Sequence, residues 1–132
     1  LGDVHQRLLF YKRISNTDTQ EKLDNIRMEL IDRFGIPPQA VKQLFSVHQV
    51  RLKAEQLGIT KVDVNTNGGY IEFSPDTPVQ AISIIQLMQK NPTHYRMEGG
   101  QRLKLTVHLS EYEERIQFIV TLLNKLLSEL NG

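Results

Sequence analysis

The sequence predicts an α+β domain in which three N-terminal helices precede two β-hairpin–helix units, with an antiparallel sheet packed by helices. Up to Gly58 the apolar residues recur at three- and four-residue spacing, which is the period of a helix. After Gly58, apolar and polar residues alternate around a glycine pair and then return to helical spacing, and this succession occurs twice. Each alternating pair of segments predicts a hairpin, and each helical segment that follows predicts a helix packed on the sheet.

The first predicted helix covers residues 4–15. A strand over residues 8–14 is the competing prediction, and residues 16–18 break the pattern. The helical interpretation depends on four apolar residues with the spacing of one helix face: Val4, Leu8, Tyr11 and Ile14.

The second predicted helix begins at Asp18, whose side chain can cap it with Glu21 as the reciprocal partner. Gly35 ends this helix, because glycine adopts a positive φ without steric cost. Polar residues, among them Glu29 and Asp32, fall on the face opposite the apolar stripe. The stripe consists of Leu23, Ile26, Leu30, Ile31 and Phe34.

Pro37 and Pro38 start the third predicted helix, since the first helical turn has no bonding partner for the amide hydrogen that proline lacks. This helix runs from Pro38 to Leu57, and Gly58 ends it. Its apolar residues fall on two faces, which predicts a helix packed on two sides at the centre of the fold. One face carries Val41, Leu44, Phe45 and Leu52, and the other carries Val47, Val50, Ala54 and Leu57.

The first hairpin–helix unit has strands predicted over residues 59–65 and 70–73. Asn67-Gly68-Gly69 is the predicted turn, because an Asn-Gly pair between alternating segments is typical of hairpins. Thr77-Pro78 opens the following helix and Asn91-Pro92 closes it. The predicted apolar face of this helix consists of Ala81, Ile84, Ile85 and Met88, with Gln80 in the capping-box position.

The second unit repeats the pattern, with strands predicted over residues 95–97 and 103–109 around Gly99-Gly100. Ser110 and Glu113 form a predicted capping box for the last helix. This helix has the most regular amphipathic stripe in the chain, made of Tyr112, Ile116, Ile119, Val120, Leu123, Leu127 and Leu130.

Composition limits the possible functions. The 132 residues correspond to a single domain, predicted over residues 1–132. The net charge of +1 gives no general attraction to nucleic acid or to anionic membranes. The absence of cysteine excludes disulfides and thiolate chemistry and suits a reducing cytoplasm, and no apolar segment approaches the roughly 20 residues that cross a bilayer. Because the chain starts Leu1-Gly2-Asp3, without methionine, we expect a piece of a larger protein.

No group of residues has the spacing of a catalytic, metal or cofactor site. Neither glycine pair precedes a helix in the manner of a phosphate-binding loop. His48 lies on an apolar face of the third helix and is predicted to be a core histidine with one hydrogen-bond partner. The other histidines do not pair with one another or with an acid at metal-site spacing. We therefore expect neither catalysis nor a cofactor in this domain.

Two surfaces remain as candidates for binding. The second hairpin combines Tyr95 with Arg96, Arg102 and Lys104, a basic and aromatic mixture that single-stranded nucleic acid uses and that solvated sheet edges also carry. This gives the alternative function, a nucleic-acid-binding accessory domain. The other surface is the end of the second helix.

Glu29 and Asp32 define that second surface. Acidic side chains are unfavourable near a helix C-terminus, where the helix dipole prefers cations. Asp32 nevertheless lies in the last predicted turn, with Arg33 beside it. Such acids are more plausible if an arginine elsewhere uses them.

The segment "ELIDRFGIPP", followed by "VRLKAEQLGITKVDV" and "GGYIEFS", resembles the C-terminal domain of the bacterial transcription-repair coupling factor family. The resemblance runs from about Arg7 to about Leu126. Its motif residues are Asp32, Arg33, Phe34, Gly35, Pro38 and Leu44, together with Leu57-Gly58-Ile59 and the strand at Phe73.

The resemblance implies a cytoplasmic parent protein that is an ATP-dependent DNA translocase, with ATP and Mg²⁺ bound by motor domains outside this chain. Such a parent displaces RNA polymerase stalled at a lesion and recruits nucleotide excision repair. The C-terminal domain is implied to be autoinhibitory. It docks on the N-terminal module that resembles the excision-repair helicase, and it masks the surface for the damage-recognition factor.

The resemblance also implies roles for individual residues. Glu29 and Asp32 are expected to pair with arginines of the N-terminal module, while Arg33 either joins them or caps its own helix. Phe34, Gly35 and Pro38 are expected to fix the angle of that surface. Leu44 and Gly58 are the remaining structural residues of the motif.

Overall fold

The computed structural model describes residues 4–35 and 38–131, and it divides into two compact units, Leu1–Leu52 and Lys53–Gly132. The element order is three helices, a hairpin, a helix, a second hairpin and a last helix. This confirms the predicted α+β class with an antiparallel sheet. The extent of a single domain over residues 1–132 stays a prediction.

The first unit contains α1 (Val4–Ser15), α2 (Gln20–Phe34) and most of α3 (Gln39–Gln56). Phe10 and Phe34 meet edge to face with ring centroids 5.7 Å apart. Tyr11, Phe34 and Leu44 pack against the buried core from its margin. The core itself consists of Phe10, Ile14, Leu23, Ile26, Leu30, Val41, Phe45 and Leu52.

The helical prediction for α1 is confirmed, but its predicted apolar face is only half right, since Ile14 is in the core and Tyr11 packs against it. Val4 and Leu8 are both 59% exposed, whereas Phe10 and Ile14 are buried. The predicted helical period is correct, but the packing of α1 against its neighbours selects a face about a quarter of a turn away.

Thr19 caps α2 in place of the predicted Asp18. The Thr19 hydroxyl accepts a hydrogen bond from the amide of Lys22 at 3.1 Å, while the Asp18 carboxylate pairs with the Lys22 ammonium at 2.9 Å. The helix end at Gly35 is confirmed, since Gly35 has φ +82° and its amide donates to the Ile31 carbonyl at 2.8 Å.

α3 begins one residue after Pro38, whose carbonyl accepts hydrogen bonds from the amides of Val41 and Lys42. Pro37 lies outside the described residues. The first predicted apolar face of α3 is confirmed, because Val41, Phe45 and Leu52 are buried. The second predicted apolar face is only partly confirmed, because Val47 is exposed.

The second unit holds a four-stranded antiparallel sheet in the order β1-β2-β4-β3. The strands are β1 (Ile59–Asn65), β2 (Gly68–Phe73), β3 (Tyr95–Glu98) and β4 (Arg102–Leu105), so β4 ends well before the predicted residue 109. β2 and β4 pair through Gly69 with Leu105 and Glu72 with Arg102, which joins the two hairpins into one sheet.

The first hairpin turns at Thr66-Asn67, one residue before the predicted Asn-Gly pair. Gly68 belongs to β2 and has φ +113°. A Cβ atom there would lie 2.1 Å from the carbonyl oxygen of Leu105 in β4. Gly68 is therefore required by the close approach of two strands as well as by its backbone angle.

Helices α4 (Ala81–Lys90) and α5 (Tyr112–Asn131) complete the second unit. α4 starts later than predicted, after the extended residue Gln80 (φ −80°, ψ 147°), whose side chain makes no cap hydrogen bond. The Thr77 hydroxyl donates to the Leu57 carbonyl at 2.5 Å. The predicted Ser110 cap is also wrong, since the Ser110 hydroxyl faces the Glu114 carboxylate at 3.3 Å. In the described part of the chain, no helix is long and apolar enough to span a membrane.

Candidate docking surface on α2

Five residues near the end of α2 form one exposed area, which we call the α2 surface: Met28, Glu29, Ile31, Asp32 and Arg33. Met28 is 67% exposed and Ile31 is 44% exposed. These two apolar side chains line a shallow depression together with Glu29 and Asp32. The surface therefore places charge beside solvent-exposed apolar area, a mixture found at protein interfaces.

Asp32 is the acidic residue of this surface that is open to a cation of a binding partner. It is exposed, and within residues 4–35 and 38–131 it makes no hydrogen bond or ion pair. Its position in the last turn of α2 places the carboxylate at the negative end of the helix dipole, which is unfavourable for an acidic side chain. A cation supplied from outside would neutralise it there.

Glu29 is already occupied. The Arg13 guanidinium of α1 donates to both carboxylate oxygens of Glu29, at 2.5 and 3.2 Å, and the Arg33 guanidinium lies 3.8 Å away. The hydrogen bond from Arg13 holds the pKa of the Glu29 carboxyl below its usual range and raises the pKa of Arg13. This fork geometry fixes both side chains between two helices.

Arg33 connects the charged residues to the aromatic margin of the core. Its guanidinium carbon lies 5.3 Å from the Phe34 ring centre and 5.9 Å from the Phe10 ring centre. The Arg13 guanidinium lies 5.2 Å from the same Phe10 ring. Such cation–π contacts orient both arginines without neutralising them.

The three predicted interface residues thus lie together, but the structure gives them different local roles. Asp32 is exposed and has no partner among residues 4–35 and 38–131, Glu29 bridges α1 and α2, and Arg33 covers the Phe10–Phe34 pair. The sequence contained no signal for the Arg13–Glu29 pair, because 16 residues separate its members and no helical spacing rule applies.

Met28 and Ile31 were missed by the sequence reasoning. Ile31 was placed in the core stripe, which is wrong. Successive residues of a helix are 100° apart, so Ile31 lies well to one side of a stripe centred on Ile26 and Leu30. By this angle, Ile31 lies at the edge of the stripe and Met28 lies outside it.

The remaining motif residues have structural positions. Phe34 and Leu44 pack on the core of the first unit. Gly58 ends the helical segment with φ +66°, and a Cβ there would lie 2.8 Å from the Cα atom of Thr77. Pro38 supplies the first hydrogen-bond acceptor of α3.

The second hairpin does not present the predicted aromatic platform. Tyr95 is buried and stacks on Phe118 with ring centroids 6.2 Å apart, and this burial raises the pKa of its phenol. Arg102 pairs with Glu72 across the sheet, and Lys104 lies 3.8 Å from Glu98. The predicted stacking role of Tyr95 is therefore wrong, and two of the three basic side chains already face acids.

Outside the α2 surface, His48 is a side chain that could take part in chemistry. His48 is half-buried and accepts a hydrogen bond from Arg51 at 3.2 Å, so it has a hydrogen-bond partner as predicted but is not one of the buried core residues. Burial, and next the charge of Arg51, lower its pKa. Among the described residues, no three metal-ligating side chains cluster.

An apolar cavity of about 230 Å³ lies in the second unit between α4 and the sheet. Ile84, Met88 and Met97 line it. The Thr77 hydroxyl at its edge is already bonded, to the carbonyl of Leu57 and the amide of Val79. A polar ligand would therefore find this hydroxyl engaged.

Fold and surface together define an α+β domain with a mixed acidic and apolar helix face, a class of surface suited to protein contacts. A family model described as TRCF domain matches residues 1–84. The chain is 43% identical over 126 residues to a transcription-repair-coupling factor of Haemophilus influenzae and 42% identical over 126 residues to one of Escherichia coli. The chain belongs to the transcription-repair coupling factor family.

These relatives are much longer proteins. The match covers 96% of this chain but only 11% of the length of the Haemophilus influenzae and Escherichia coli relatives. The fold is also that of a solved structure described as "Crystal structure of C-terminal domain of transcription-repair coupling factor". That comparison has a TM-score of 0.80 at 21% identity and covers 97% of this chain and 83% of the solved chain.

Proposed function

We propose that this chain is a regulatory domain that holds a transcription-repair coupling factor in a repressed state. It docks on the N-terminal module of its parent that resembles the excision-repair helicase, and it masks the surface for the damage-recognition factor. The parent is a cytoplasmic ATP-dependent DNA translocase that displaces stalled RNA polymerase and recruits nucleotide excision repair. ATP and Mg²⁺ bind in its motor domains, and this domain contributes neither catalysis nor a cofactor.

The observation that carries the proposal is the α2 surface, where the Asp32 carboxylate, which has no partner in the described part of the chain, lies beside the exposed side chains of Met28 and Ile31. In the docked state, an arginine of the N-terminal module pairs with Asp32, and an apolar side chain beside it covers Met28 and Ile31. Charge pairs at such a surface set orientation and specificity more than affinity. A contact of modest size suits a domain that must be released.

The test is the charge reversal Asp32→Lys in the full-length factor, alone and combined with Glu29→Lys. We expect basal ATP hydrolysis, DNA binding and binding of the damage-recognition factor all to rise several-fold, because a lysine repels the partner's arginine. Asp32→Lys is the cleaner variant, since Glu29 also bridges α1 and α2.

The matched control is Asp76→Lys, which makes the same charge change at an exposed position of the second unit. Thermal melting checks that each variant is folded. If Asp32→Lys leaves all three activities as low as the control does, the docking role of the α2 surface is refuted.

A further inference from the structure

Glu29 has two cationic neighbours within its own unit. Arg13 occupies both of its carboxylate oxygens, and the Arg33 guanidinium is 3.8 Å away. A carboxylate accepts at most about four hydrogen bonds, and a third guanidinium brought to the same site is repelled by the first two. A cation of a docking partner can therefore engage Glu29 fully only if Arg13 leaves it.

Arg13 is itself held in place from the other side. Its guanidinium lies 5.2 Å from the Phe10 ring centre, three residues back on α1. The planar guanidinium can stack on a ring and chelate a carboxylate in one geometry, which a lysine cannot do. Departure of Arg13 from Glu29 would give up both contacts.

Asp32 lies one turn further along α2 and has no such competitor among the described residues. The two acids that the sequence indicated as equivalent are thus unequal towards an incoming cation. Asp32 is open to it, and Glu29 is shielded.

We propose that Arg13 is an intramolecular competitor for Glu29 that weakens docking and directs the partner's cation to Asp32. This inference rests on the proposed function, because it concerns the regulation of the same surface. Arg13 acts as a positioning residue through Glu29. Its effect is to keep one of the two acidic contacts unused, so that the docked state stays easy to release.

The experiment uses the full-length factor with one dye on this domain and one on the N-terminal module, so that energy transfer reports docking as a function of NaCl concentration. Arg13→Met removes the guanidinium but keeps an unbranched side chain on Phe10. We expect it to raise the docking constant about three- to fivefold at a fixed salt concentration, in the upper part of the range for exposed charge pairs. The NaCl concentration that releases the domain should also rise, because a second charge pair forms.

Three further variants test the mechanism. Lys12→Met removes the same charge from the adjacent exposed position of α1 and should change the docking constant less than twofold. Arg13→Met combined with Glu29→Gln should lose the gain, since the gain requires the freed carboxylate. Arg13→Lys, which keeps the charge without the fork, should give an intermediate gain and serves as the test if Arg13→Met does not fold.

The outcomes separate the two proposals. If Asp32→Asn weakens docking but neither Arg13 variant strengthens it, the competitor role is refuted and the docking role stands. A gain that persists in the double variant, or that Lys12→Met reproduces, also refutes the competitor role. If the unsubstituted factor shows no salt-dependent docking, or Asp32→Asn leaves docking unchanged, both proposals are overturned.

Discussion

Leu30 and Ile31 are adjacent in α2 and chemically similar, so alanine substitutions at the two positions measure which face of the helix is buried. Leu30 is fully buried in the core of the first unit, whereas Ile31 is 44% exposed on the α2 surface. Leu30→Ala should cost about 3.5 kcal/mol, because it removes buried carbon atoms and leaves a cavity. For 132 residues that corresponds to a melting temperature lower by about 12 °C.

Ile31→Ala should cost only about 1 kcal/mol. The three carbon atoms removed are worth about 0.8 kcal/mol each when fully buried, but about half of this side chain is already in water. No closed cavity forms, and alanine is the better helix former by a few tenths of a kcal/mol. The same substitution should weaken docking, because it removes apolar area from the α2 surface.

Urea unfolding followed by far-ultraviolet circular dichroism gives both free energies of unfolding under the same conditions. The energy-transfer measurement in the full-length factor gives the docking constants. Losses of stability within about 1 kcal/mol of each other would refute the orientation of α2, and they would agree instead with the stripe read from the sequence, which contained both residues.

Four other substitutions test the structure. Gly68→Ala should cost about 3 kcal/mol or more in urea unfolding, because Gly68 closely approaches β4. Gly99→Ala should cost about 1 kcal/mol, because Gly99 has φ +66° but open space around it. Equal costs would contradict the strand geometry. Glu29→Gln should lower the melting temperature at pH 7. The folded-state pKa of Glu29 is depressed, so its contribution to stability is present above its ordinary pKa and is lost as the pH falls. The melting temperatures of the two proteins should therefore converge below about pH 4. A constant difference would contradict the pairing of Glu29 with Arg13. Asp32→Asn should leave the melting temperature unchanged or slightly raised while weakening docking, and a large loss of stability would show that Asp32 has a structural partner.

The order and type of the elements were predictable because local patterns determine them. Gly35 and Gly58 end helical segments with positive φ, as their positions after apolar periodic segments indicated. The two hairpins followed from alternation around glycine pairs. The order of the strands in the sheet was not predicted, because β2 and β4 pair residues that are distant in the sequence, such as Gly69 and Leu105.

Helix faces were less predictable than helices. In α1 the set Val4, Leu8, Tyr11 and Ile14 has the correct period, yet Phe10 provides the larger buried contact because Phe34 lies opposite it. A periodic set specifies that a face exists, and the tertiary partner determines which face is used. At the start of α2, Thr19 has the extended backbone of an N-cap residue (φ −136°, ψ 153°) and its side chain accepts from the Lys22 amide, whereas the Asp18 carboxylate pairs with the Lys22 ammonium.

The segment of the candidate site could be chosen from the sequence, but the pairing of its charged side chains could not. The sequence indicated Asp32 by its position at an unfavourable end of a helix, and its carboxylate has no partner among the described residues, so its docking role stays a prediction. Glu29 was grouped with it because both acids lie on the polar face of α2. The pairing of Glu29 with Arg13 depends on how α1 crosses α2, which no local pattern contains.

Stability and docking can therefore vary separately within one helix. Leu30 faces the core, Glu29 holds α1, and Asp32 with Met28 and Ile31 faces solvent. A carboxylate at Asp32 costs the isolated domain a little through the helix dipole and returns stability only when a cation is supplied from outside. In the proposed docked state the Asp32 carboxylate, which is unfavourable in the free domain, becomes favourable, so docking would depend on the partner's cation. On the same proposal, Arg13 would limit this dependence by keeping Glu29 paired within the domain.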